Sequence, residues 1–435
     1  MKKSLILIIV FLSFFAYIPA IYGEQQLNLK AADSCILVDS KTGQVLYDYN
    51  SNKKGLFPAS TTKIMTAIVA LEKGDLDAPV KISAEAVNDI GDGGMNIGIM
   101  AGEEGFTLRD ILNAMLICSA NECANIVAEN VAPTRSEFIE LMNQKAKELG
   151  AADTNFVNTC GIHDGNHYTT AGDMAKIARY AMSIPEFRQI VGKKKLSLPP
   201  TSKHPAWPEL PSTNRIIGAK LLENTVVNGI KTGYTTEAGH NLISSAVNEA
   251  TGMELIAVVL GARGRDGAEA KKLSEDYSKV LLKYGFENYS FQNIIEANQV
   301  VKAIGVTDAD SGVKLDLVTA GSVSGVLPLN HDEWNIVRNE YVNPSLKAPV
   351  KKGDVVGYIS YERNGTLLGR TDIVASKDVG KSRKAVLADT TKTILGNSLV
   401  VKVISSAATA LLIFITLRFT LRRVSRSLNS RRRRN

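Results

Sequence analysis

The chain has 435 residues, of which 45% are hydrophobic and 22% are charged, a composition that is typical of a globular protein and excludes wholesale disorder. This length predicts two or more domains. The net charge of +7 does not indicate a nucleic-acid-binding protein, because the basic residues at the two ends account for all of it and leave the body mildly acidic. The arginines from Arg418 onward suit anionic lipid headgroups better.

The N-terminal residues 1–23 have the pattern of a secretory signal peptide. Lys2 and Lys3 precede an apolar run from Leu5 to Ala20, and small residues follow it. The run is shorter than a membrane span, which favours cleavage over the alternative of an uncleaved anchor. The folded part of the chain is therefore expected to work outside the cytoplasm.

Residues 24–288 predict an α/β domain with an antiparallel sheet and a helical subdomain. A β-hairpin turning at Gly43 comes first, and an antiparallel meander of three strands is expected between Ile230 and Gly261. Helical spacing of apolar residues predicts a helix beginning at Ser60, followed by helices over 108–130, 136–149, 170–182 and 268–284.

The last part of the chain changes character. Short runs between Gly and Asn turns predict a small all-β domain over 289–376, followed by a polar linker over 377–398. Residues 399–421 predict a membrane anchor helix, and the arginine-rich tail over 422–435 predicts a cytoplasmic C-terminus. The alternative is an amphipathic helix lying on the membrane surface. The uncharged stretch 403–417 favours a spanning helix, because it lacks a charged face.

The segment PASTTK places Ser60 three residues before Lys63, on one face of the predicted helix. A serine hydroxyl needs a base to act as a nucleophile, and a lysine can serve when burial or a nearby cation lowers its pKa. The alternative is an ordinary helix N-cap, since this spacing arises by chance in long chains. The rest of the sequence has to decide between the two.

Two later segments carry further polar candidates. Ser119 and Asn121, in ICSANECAN, fall within the predicted helical region, where they could face a cleft from a helix end. Lys231 and Thr232, in NGIKTGYT, fall on a predicted strand beside Gly233, which would let a substrate backbone approach closely. Each segment alone has a structural explanation, but the order of all three is hard to obtain by chance.

The order S-x-x-K, S-x-N, K-T-G resembles the signature of penicillin-recognising serine enzymes. PASTTKIMTA, CSANECANIVAEN, FIELMNQKAKELG, GNHYTTAGDMA and VNGIKTGYTTEAGHNL are similar to the low-molecular-mass penicillin-binding proteins that are D-alanyl-D-alanine carboxypeptidases. The resemblance implies a serine β-lactamase/transpeptidase-like domain, a β domain and a terminal anchor, and no cofactor. It also implies peptidoglycan stem peptides as substrates and β-lactams as covalent inhibitors.

The resemblance further implies a role for each matching residue. It makes Ser60 the acylated nucleophile and Lys63 its base, with an oxyanion hole formed by the backbone N–H groups of Ser60 and Tyr234. Ser119 and Asn121 would relay a proton and hold the substrate amide. The terminal carboxylate would be anchored by Lys231 and Thr232 of the third motif, which also contains Gly233.

Physical chemistry supports these roles. Two lysines facing one pocket disfavour each other's charge, so Lys63 could be neutral while Lys231 stays cationic. The sequence departs from the family pattern at one point. The family usually has an arginine after the last core strand that assists carboxylate binding. Arg263, Arg265 and Lys272 are all candidates for this role here, and none of them is assigned to it.

Other polar residues are expected to be structural. His163 and His167, in a loop, are interpreted as structural rather than as metal ligands. The four cysteines show no metal-ligand spacing and are expected to be small buried packing residues, namely Cys35, Cys118, Cys123 and Cys160.

Three other functions have to be weighed against the carboxypeptidase. A class A-like β-lactamase would need a glutamate that activates water, but Glu140 in ELMN is expected to belong to a packing helix. A D,D-endopeptidase would use the same machinery as a carboxypeptidase, and the sequence does not separate the two. A non-catalytic wall-binding protein is disfavoured, because unused buried lysines would only cost stability.

Overall fold

The computed structural model describes residues 27–432. The predicted signal peptide over 1–23 lies outside the described residues. The strands are β1 (Ser34–Asp39), β2 (Val45–Tyr49), β3 (Lys195–Leu196), β4 (Leu210–Pro211), β5 (Thr225–Thr235), β6 (Gly239–Asn248), β7 (Glu254–Ala262), β8 (Tyr289–Ile295), β9 (Val300–Gly305), β10 (Lys314–Thr319), β11 (Val323–Pro328), β12 (Ile336–Val342), β13 (Val355–Arg363) and β14 (Thr366–Ala375).

The helices are α1 (Lys63–Lys73), α2 (Ala84–Asn88), α3 (Leu108–Ile117), α4 (Asn121–Val131), α5 (Arg135–Glu148), α6 (Ala171–Ser183), α7 (Pro185–Val191), α8 (Gly267–Asn288), α9 (Arg383–Gly396) and α10 (Ser398–Arg432). Short 3-10 helices lie at Ala59–Thr62 and His331–Glu333.

The first domain is built on a five-stranded sheet in the order β2-β1-β7-β6-β5, in which neighbouring strands are antiparallel. The predicted hairpin and meander are therefore confirmed. Gly43 has φ +78° in the hairpin turn, a conformation that glycine adopts without steric cost. Strand β5, which carries the third motif, lies at one edge of the sheet.

The sheet is covered on both faces. Residues of β7 alternate between two hydrophobic clusters: Ile256 and Val258 pack with the helices of the subdomain, whereas Leu255 and Val259 pack in the cluster that contains Leu281 of α8. A strand buried on both faces reads as a continuous apolar run, which is what ELIAVVLGA shows. The site therefore lies where a three-layer domain brings the helical subdomain against the edge strand.

Two helix predictions need correction. The helix expected over 108–130 is broken at Cys118–Ala120, because Ser119 has φ +64° and cannot continue a right-handed helix. The helix expected from Ser60 begins as a 3-10 turn over Ala59–Thr62, and the α-helix starts only at Lys63. Both irregularities fall on predicted site residues, where the backbone turns polar side chains out of the helical pattern.

The second domain follows α8 directly. Strands β8 and β11 form a two-stranded sheet, and a five-stranded sheet has the order β12-β13-β14-β10-β9. Its own core includes Leu315, Ile359 and Ile373, each fully buried. Tyr289 joins the two domains, since its hydroxyl donates to the Leu46 carbonyl at 3.1 Å. An all-β domain after the catalytic fold is thus confirmed, while the limits 24–288 and 289–376 stay a prediction.

The C-terminal segment is helical and exposed. Helix α9 occupies most of the predicted linker. Within α10, the segment Ser398–Arg426 contains an 18-residue window with a mean hydropathy of 2.2 and is long and apolar enough to cross a membrane, by length and composition. The helix continues across the predicted boundary between anchor and tail at 421–422.

Candidate active site

Ser60 and Lys63 are hydrogen-bonded to each other. Lys63, the first residue of α1, is fully buried, and its Nζ donates to Ser60 Oγ at 2.9 Å. The same nitrogen donates to Asn121 Oδ1 at 2.7 Å and to the Cys160 carbonyl at 2.9 Å. Both of these oxygens can only accept. If Lys63 loses a proton, two N–H groups still serve Asn121 and Cys160, and the lone pair is left facing Ser60.

A second lysine supports the second motif. Lys231 on β5 is fully buried, and its Nζ donates to Ser119 Oγ at 2.8 Å and to the Thr232 carbonyl at 2.9 Å. The left-handed conformation of Ser119 ends α3 and lets α4 begin at Asn121. The break in the predicted helix therefore puts Ser119 against one lysine and Asn121 against the other.

Two glycines allow the surrounding backbones to meet. A Cβ on Gly233 would lie 2.9 Å from the Pro58 carbonyl oxygen and 3.1 Å from the Ser60 nitrogen. A Cβ on Gly161 would lie 1.8 Å from the Ala59 carbonyl oxygen. Gly233 was expected to admit a substrate backbone; in the structure its missing side chain admits the 3-10 turn that carries the serine. Tight backbone approach, rather than side-chain contact, fixes this turn between β5 and the loop after α5.

The polar residues open onto one cavity of about 760 Å³. Six of the eight predicted site residues line it, namely Ser60, Ser119, Asn121, Thr232, Gly233 and Tyr234. Lys63 and Lys231 are fully buried and reach the cavity through the two serines that line it. A cavity of this size holds a short peptide end, and its polar wall brings the Ser60 hydroxyl close to two buried lysines.

Burial governs the charge of both lysines. It lowers the pKa of Lys63 to about 8, which the nearby Cys160 and Glu122 oppose. Burial, and then the charge of Lys63, lowers the pKa of Lys231 well below its ordinary value. The expected repulsion between the two lysines is present, but burial is the larger cause for Lys231 and the main cause for Lys63, and the repulsion lowers the pKa of Lys231. The expectation that Lys231 stays cationic while Lys63 alone becomes neutral is therefore wrong, because Lys231 is buried as deeply as Lys63. A lysine with a pKa near 8 can act as a base at physiological pH.

Residues 23–264, more than half of the chain, match the family described as D-alanyl-D-alanine carboxypeptidase, and residues 289–381 match the penicillin-binding protein 5 C-terminal domain. The chain belongs to the D-alanyl-D-alanine carboxypeptidase family. This confirms the predicted resemblance, the transpeptidase-like fold followed by a β domain, and the enzyme class, a serine-type carboxypeptidase.

Individual relatives agree with this assignment. The carboxypeptidase is 30% identical over 392 residues to D-alanyl-D-alanine carboxypeptidase DacF of Bacillus subtilis, covering 88% of this chain and 96% of the relative. It is 29% identical over 380 residues to DacC of Escherichia coli, covering 84% and 89% of the two chains. Its structure resembles penicillin-binding protein 5 of Haemophilus influenzae with a TM-score of 0.62 and 26% identity, covering 81% and 98%.

None of the three basic residues left unassigned by the sequence lines the cavity of the carboxypeptidase. Arg263 donates to the Glu237 carbonyl at 2.7 Å, Arg265 pairs with Glu269 at 3.0 Å, and Lys272 is exposed. The cavity-lining cation of this region is Lys271, whose pKa burial and the neighbouring Arg215 lower. Sequence reasoning missed Lys271, because the register of α8 relative to the cavity decides which of two adjacent lysines faces the site.

The glycine-containing loop at residues 90–97 was also missed. Ile90 and Met95 line the cavity, and their carbonyls accept from the Asn121 side-chain Nδ2 at 2.9 Å and from the Asn121 backbone N–H at 2.7 Å. The run IGDGG predicts only a loop, since no pattern in a single sequence pairs it with a helix start some 30 positions later. The contact with Ile90 uses one of the two N–H groups of the Asn121 side-chain amide.

The structural roles predicted for other polar residues have clear contacts. His167 is buried with a pKa lowered to about 4 by desolvation, its Nδ1 accepts from the Val157 N–H at 3.1 Å, and its Nε2 lies 2.8 Å from Thr62 Oγ1. His163 packs edge-on against Phe57 at the cavity wall. All four cysteines are free thiols and buried, so their prediction as packing residues is confirmed.

Proposed function

We propose that Ser60 forms the acyl-enzyme with the penultimate D-alanine of a stem peptide. The observation that carries this proposal is the position of Lys63 Nζ between Ser60 Oγ and two oxygens that can only accept. Neutral Lys63 takes the hydroxyl proton while Ser60 Oγ attacks the carbonyl carbon. The C–N bond breaks, D-alanine leaves, and water then hydrolyses the ester.

The second motif serves the leaving group. Ser119 Oγ receives a hydrogen bond from Lys231 Nζ and lines the cavity, so it can pass a proton to the departing amine. Asn121 accepts from Lys63 through Oδ1 and uses one Nδ2 hydrogen for Ile90, leaving the other for a substrate carbonyl. These contacts support the roles assigned to Ser119 and Asn121.

The oxyanion is stabilised by backbone N–H groups. We assign this role to Ser60, in the 3-10 turn that leads into α1, and to Tyr234 on β5. Gly233 brings the two segments together, since its Cβ position lies 3.1 Å from the Ser60 nitrogen. The start of α1 adds positive potential near the developing charge.

We assign the terminal carboxylate to Thr232 and Lys271, which both line the cavity. Thr232 presents its hydroxyl, which donates to Thr213 Oγ1 at 2.7 Å in the ligand-free site. We assign Lys231 no direct contact with the carboxylate, because its Nζ is already committed to Ser119 and the Thr232 carbonyl. It contributes a positive charge only when it is protonated. An anionic end group would in turn favour the protonated form of Lys231.

Replacing Lys271 with alanine should raise KM for D-Ala-D-Ala peptides roughly tenfold with a smaller change in kcat, because a charge-assisted contact to the carboxylate is lost. Steady-state D-alanine release measures both constants. Lys272→Ala is the matched control, since Lys272 is its exposed neighbour. Equal effects of the two substitutions would show that Lys271 only contributes to the general positive field.

The structure disfavours the β-lactamase and does not separate the endopeptidase from the carboxypeptidase. Glu140 is exposed on α5 and is absent from the residues that line the cavity, whereas Phe138 and Met142 of the same helix are buried, as expected for a packing helix. This disfavours a class A-like β-lactamase using Glu140. A D,D-endopeptidase would use the same nucleophile, and no feature of the cavity favours it over carboxypeptidase activity.

Product analysis tests the preferred activity. The full chain in detergent micelles should release D-alanine from a diacetyl-L-Lys-D-Ala-D-Ala peptide and leave a cross-linked peptide dimer intact. Mass spectrometry identifies both sets of products. Cleavage of the dimer without release of D-alanine from the linear peptide would replace this proposal with the endopeptidase.

We place the catalytic domain outside the cytoplasm on a spanning α10. The apolar part of α10 has no buried residues and ends in arginines, which favour the cytoplasmic side of a membrane. The related penicillin-binding proteins support peptidoglycan peptides as substrates and β-lactams as ligands of Ser60. Helix α9 and the β domain would then separate the cavity from the membrane surface.

A further inference from the structure

Glu122 is a buried acid next to the cavity-lining Asn121, and the mechanism above does not use it. It follows Asn121 in the first turn of α4 and is 1% exposed. Its Oε1 accepts from the Ile97 backbone N–H at 2.7 Å. Its Oε2 is buried and lacks a hydrogen-bond partner of good geometry within the part of the chain described. A carboxylate in this position costs desolvation free energy, so its presence needs a reason.

The first reason is geometric. The loop at residues 90–97 is fastened to the start of α4 at three points: Ile90 and Met95 through Asn121, and Ile97 through Glu122. Gly91 and Gly93 in this loop have φ values of +75° and +65° and give it little rigidity of its own. The Glu122 contact closes the end of the loop that Asn121 does not hold, and so fixes the orientation of the Asn121 amide.

The second reason is electrostatic. Glu122 favours the ammonium form of Lys63, while burial raises the pKa of Glu122 and the charge of Lys63 opposes that rise. Four other titratable groups interact with this pair. They are Cys123 on α4, Cys118 in the break before α4, Cys160 in the loop after α5 and Lys231 on β5. Burial raises the pKa of each of these three thiols, which keeps them neutral. Glu122 is therefore the acid in this set whose charged form would favour the ammonium form of Lys63.

We propose that Glu122 is a positioning residue for acylation, which holds the loop at residues 90–97 against the start of α4 and keeps a carboxyl group next to Asn121, the residue that accepts from Lys63. The proposal rests on the roles proposed for Ser60 and Lys63. It goes beyond them, because it assigns the pH dependence and the order of the cavity wall to a residue that contacts neither the substrate nor Ser60.

Three variants separate the two parts of the proposal. Glu122→Gln removes the charge and keeps an oxygen that can accept from Ile97, Glu122→Ala removes both, and Glu129→Gln removes a charge farther along the same helix, where Glu129 contacts Ser83 and Arg135. The measurement is the second-order rate of Ser60 acylation by a fluorescent penicillin, followed from about pH 6 to about pH 10 with the full chain in micelles.

The wild-type rate should rise with pH through about 8, where the pKa of Lys63 lies, because only the neutral amine accepts a proton. In Glu122→Gln this rise in rate should move to lower pH by roughly half a unit or more, because the carboxylate that favoured the ammonium form of Lys63 is gone. Its limiting rate at high pH should stay within about threefold of the wild type, whereas that of Glu122→Ala should fall roughly tenfold or more. Glu129→Gln should keep the wild-type profile.

If the acylation rate of Glu122→Gln rises at the same pH as that of the wild type, Glu122 does not influence the protonation of Lys63. If Glu122→Ala keeps the wild-type limiting rate at high pH, Glu122 does not position the loop or Asn121. Thermal unfolding checks that each variant is folded, and the pH profile of Glu122→Gln decides alone if the alanine variant does not fold. A wrong assignment of the nucleophile would appear separately, as penicillin labelling that persists in Ser60→Ala.

Discussion

Replacing Ser60 with alanine should reduce D-alanine release by roughly 10⁴-fold or more and abolish covalent labelling by penicillin, because the acyl-enzyme can no longer form. The variant should remain folded, since Lys63 Nζ keeps Asn121 Oδ1 and the Cys160 carbonyl as acceptors. D-alanine release and the intact mass of the penicillin-treated protein measure the two effects.

The matched control is Ser345→Ala, an exposed serine of the second domain, which should leave both readouts unchanged. Covalent penicillin labelling of the Ser60→Ala variant at another serine would refute the assignment of the nucleophile. Loss of labelling with D-alanine release retained would instead mean that the peptide is hydrolysed without a serine ester.

Replacing Gly161 with alanine should lower the acylation rate by roughly 100-fold and the free energy of unfolding by about 2–4 kcal/mol, although no reacting group is changed. Gly161 has φ +91°, and a Cβ there would lie 1.8 Å from the Ala59 carbonyl oxygen. The 3-10 turn would have to move, taking Ser60 out of line with Lys63, and the neighbouring Cys160 carbonyl would move as well. Penicillin acylation and urea unfolding measure the two changes.

Gly165→Ala in the same loop is the control. Gly165 is exposed and has open space around its Cβ position, so both readouts should stay near those of the wild type. A Gly161→Ala variant that acylates at the normal rate would show that the loop yields without disturbing Ser60. The close approach would then be a packing detail with no effect on the reaction.

Burial of Lys63 lowers the free energy of unfolding. Lowering the pKa of Lys63 from 10.5 to about 8 corresponds to about 3 kcal/mol of unfavourable free energy for its charged form. Since the unfolded chain binds this proton more readily, the cost is full below about pH 8 and falls as the pH rises toward 10.5. Folding free energy is thus spent to keep a base near neutrality, which fits a catalytic role better than a scaffold.

The sequence alone predicted the fold class, most of the elements in their order and six residues that line the cavity. Period-2 and period-3.6 patterns are local, so the hairpin, the meander around Lys231 and the helices α5, α6 and α8 could be predicted from them. The three motifs identified Ser60, Ser119 and Thr232, because each is a short run whose residue types have a chemical reason.

Only the tertiary structure decided how these residues meet. The break at Ser119 is invisible in a continuous helical pattern, since its φ of +64° is stabilised by a contact with Lys231 that is 112 residues away in sequence. The choice of Lys271 over Lys272, the close approach of Gly161 to Ala59 and the burial of Glu122 all depend on packing between distant segments. Burial and long-range contacts set the pKa of Lys63, and a local pattern carries no information about either.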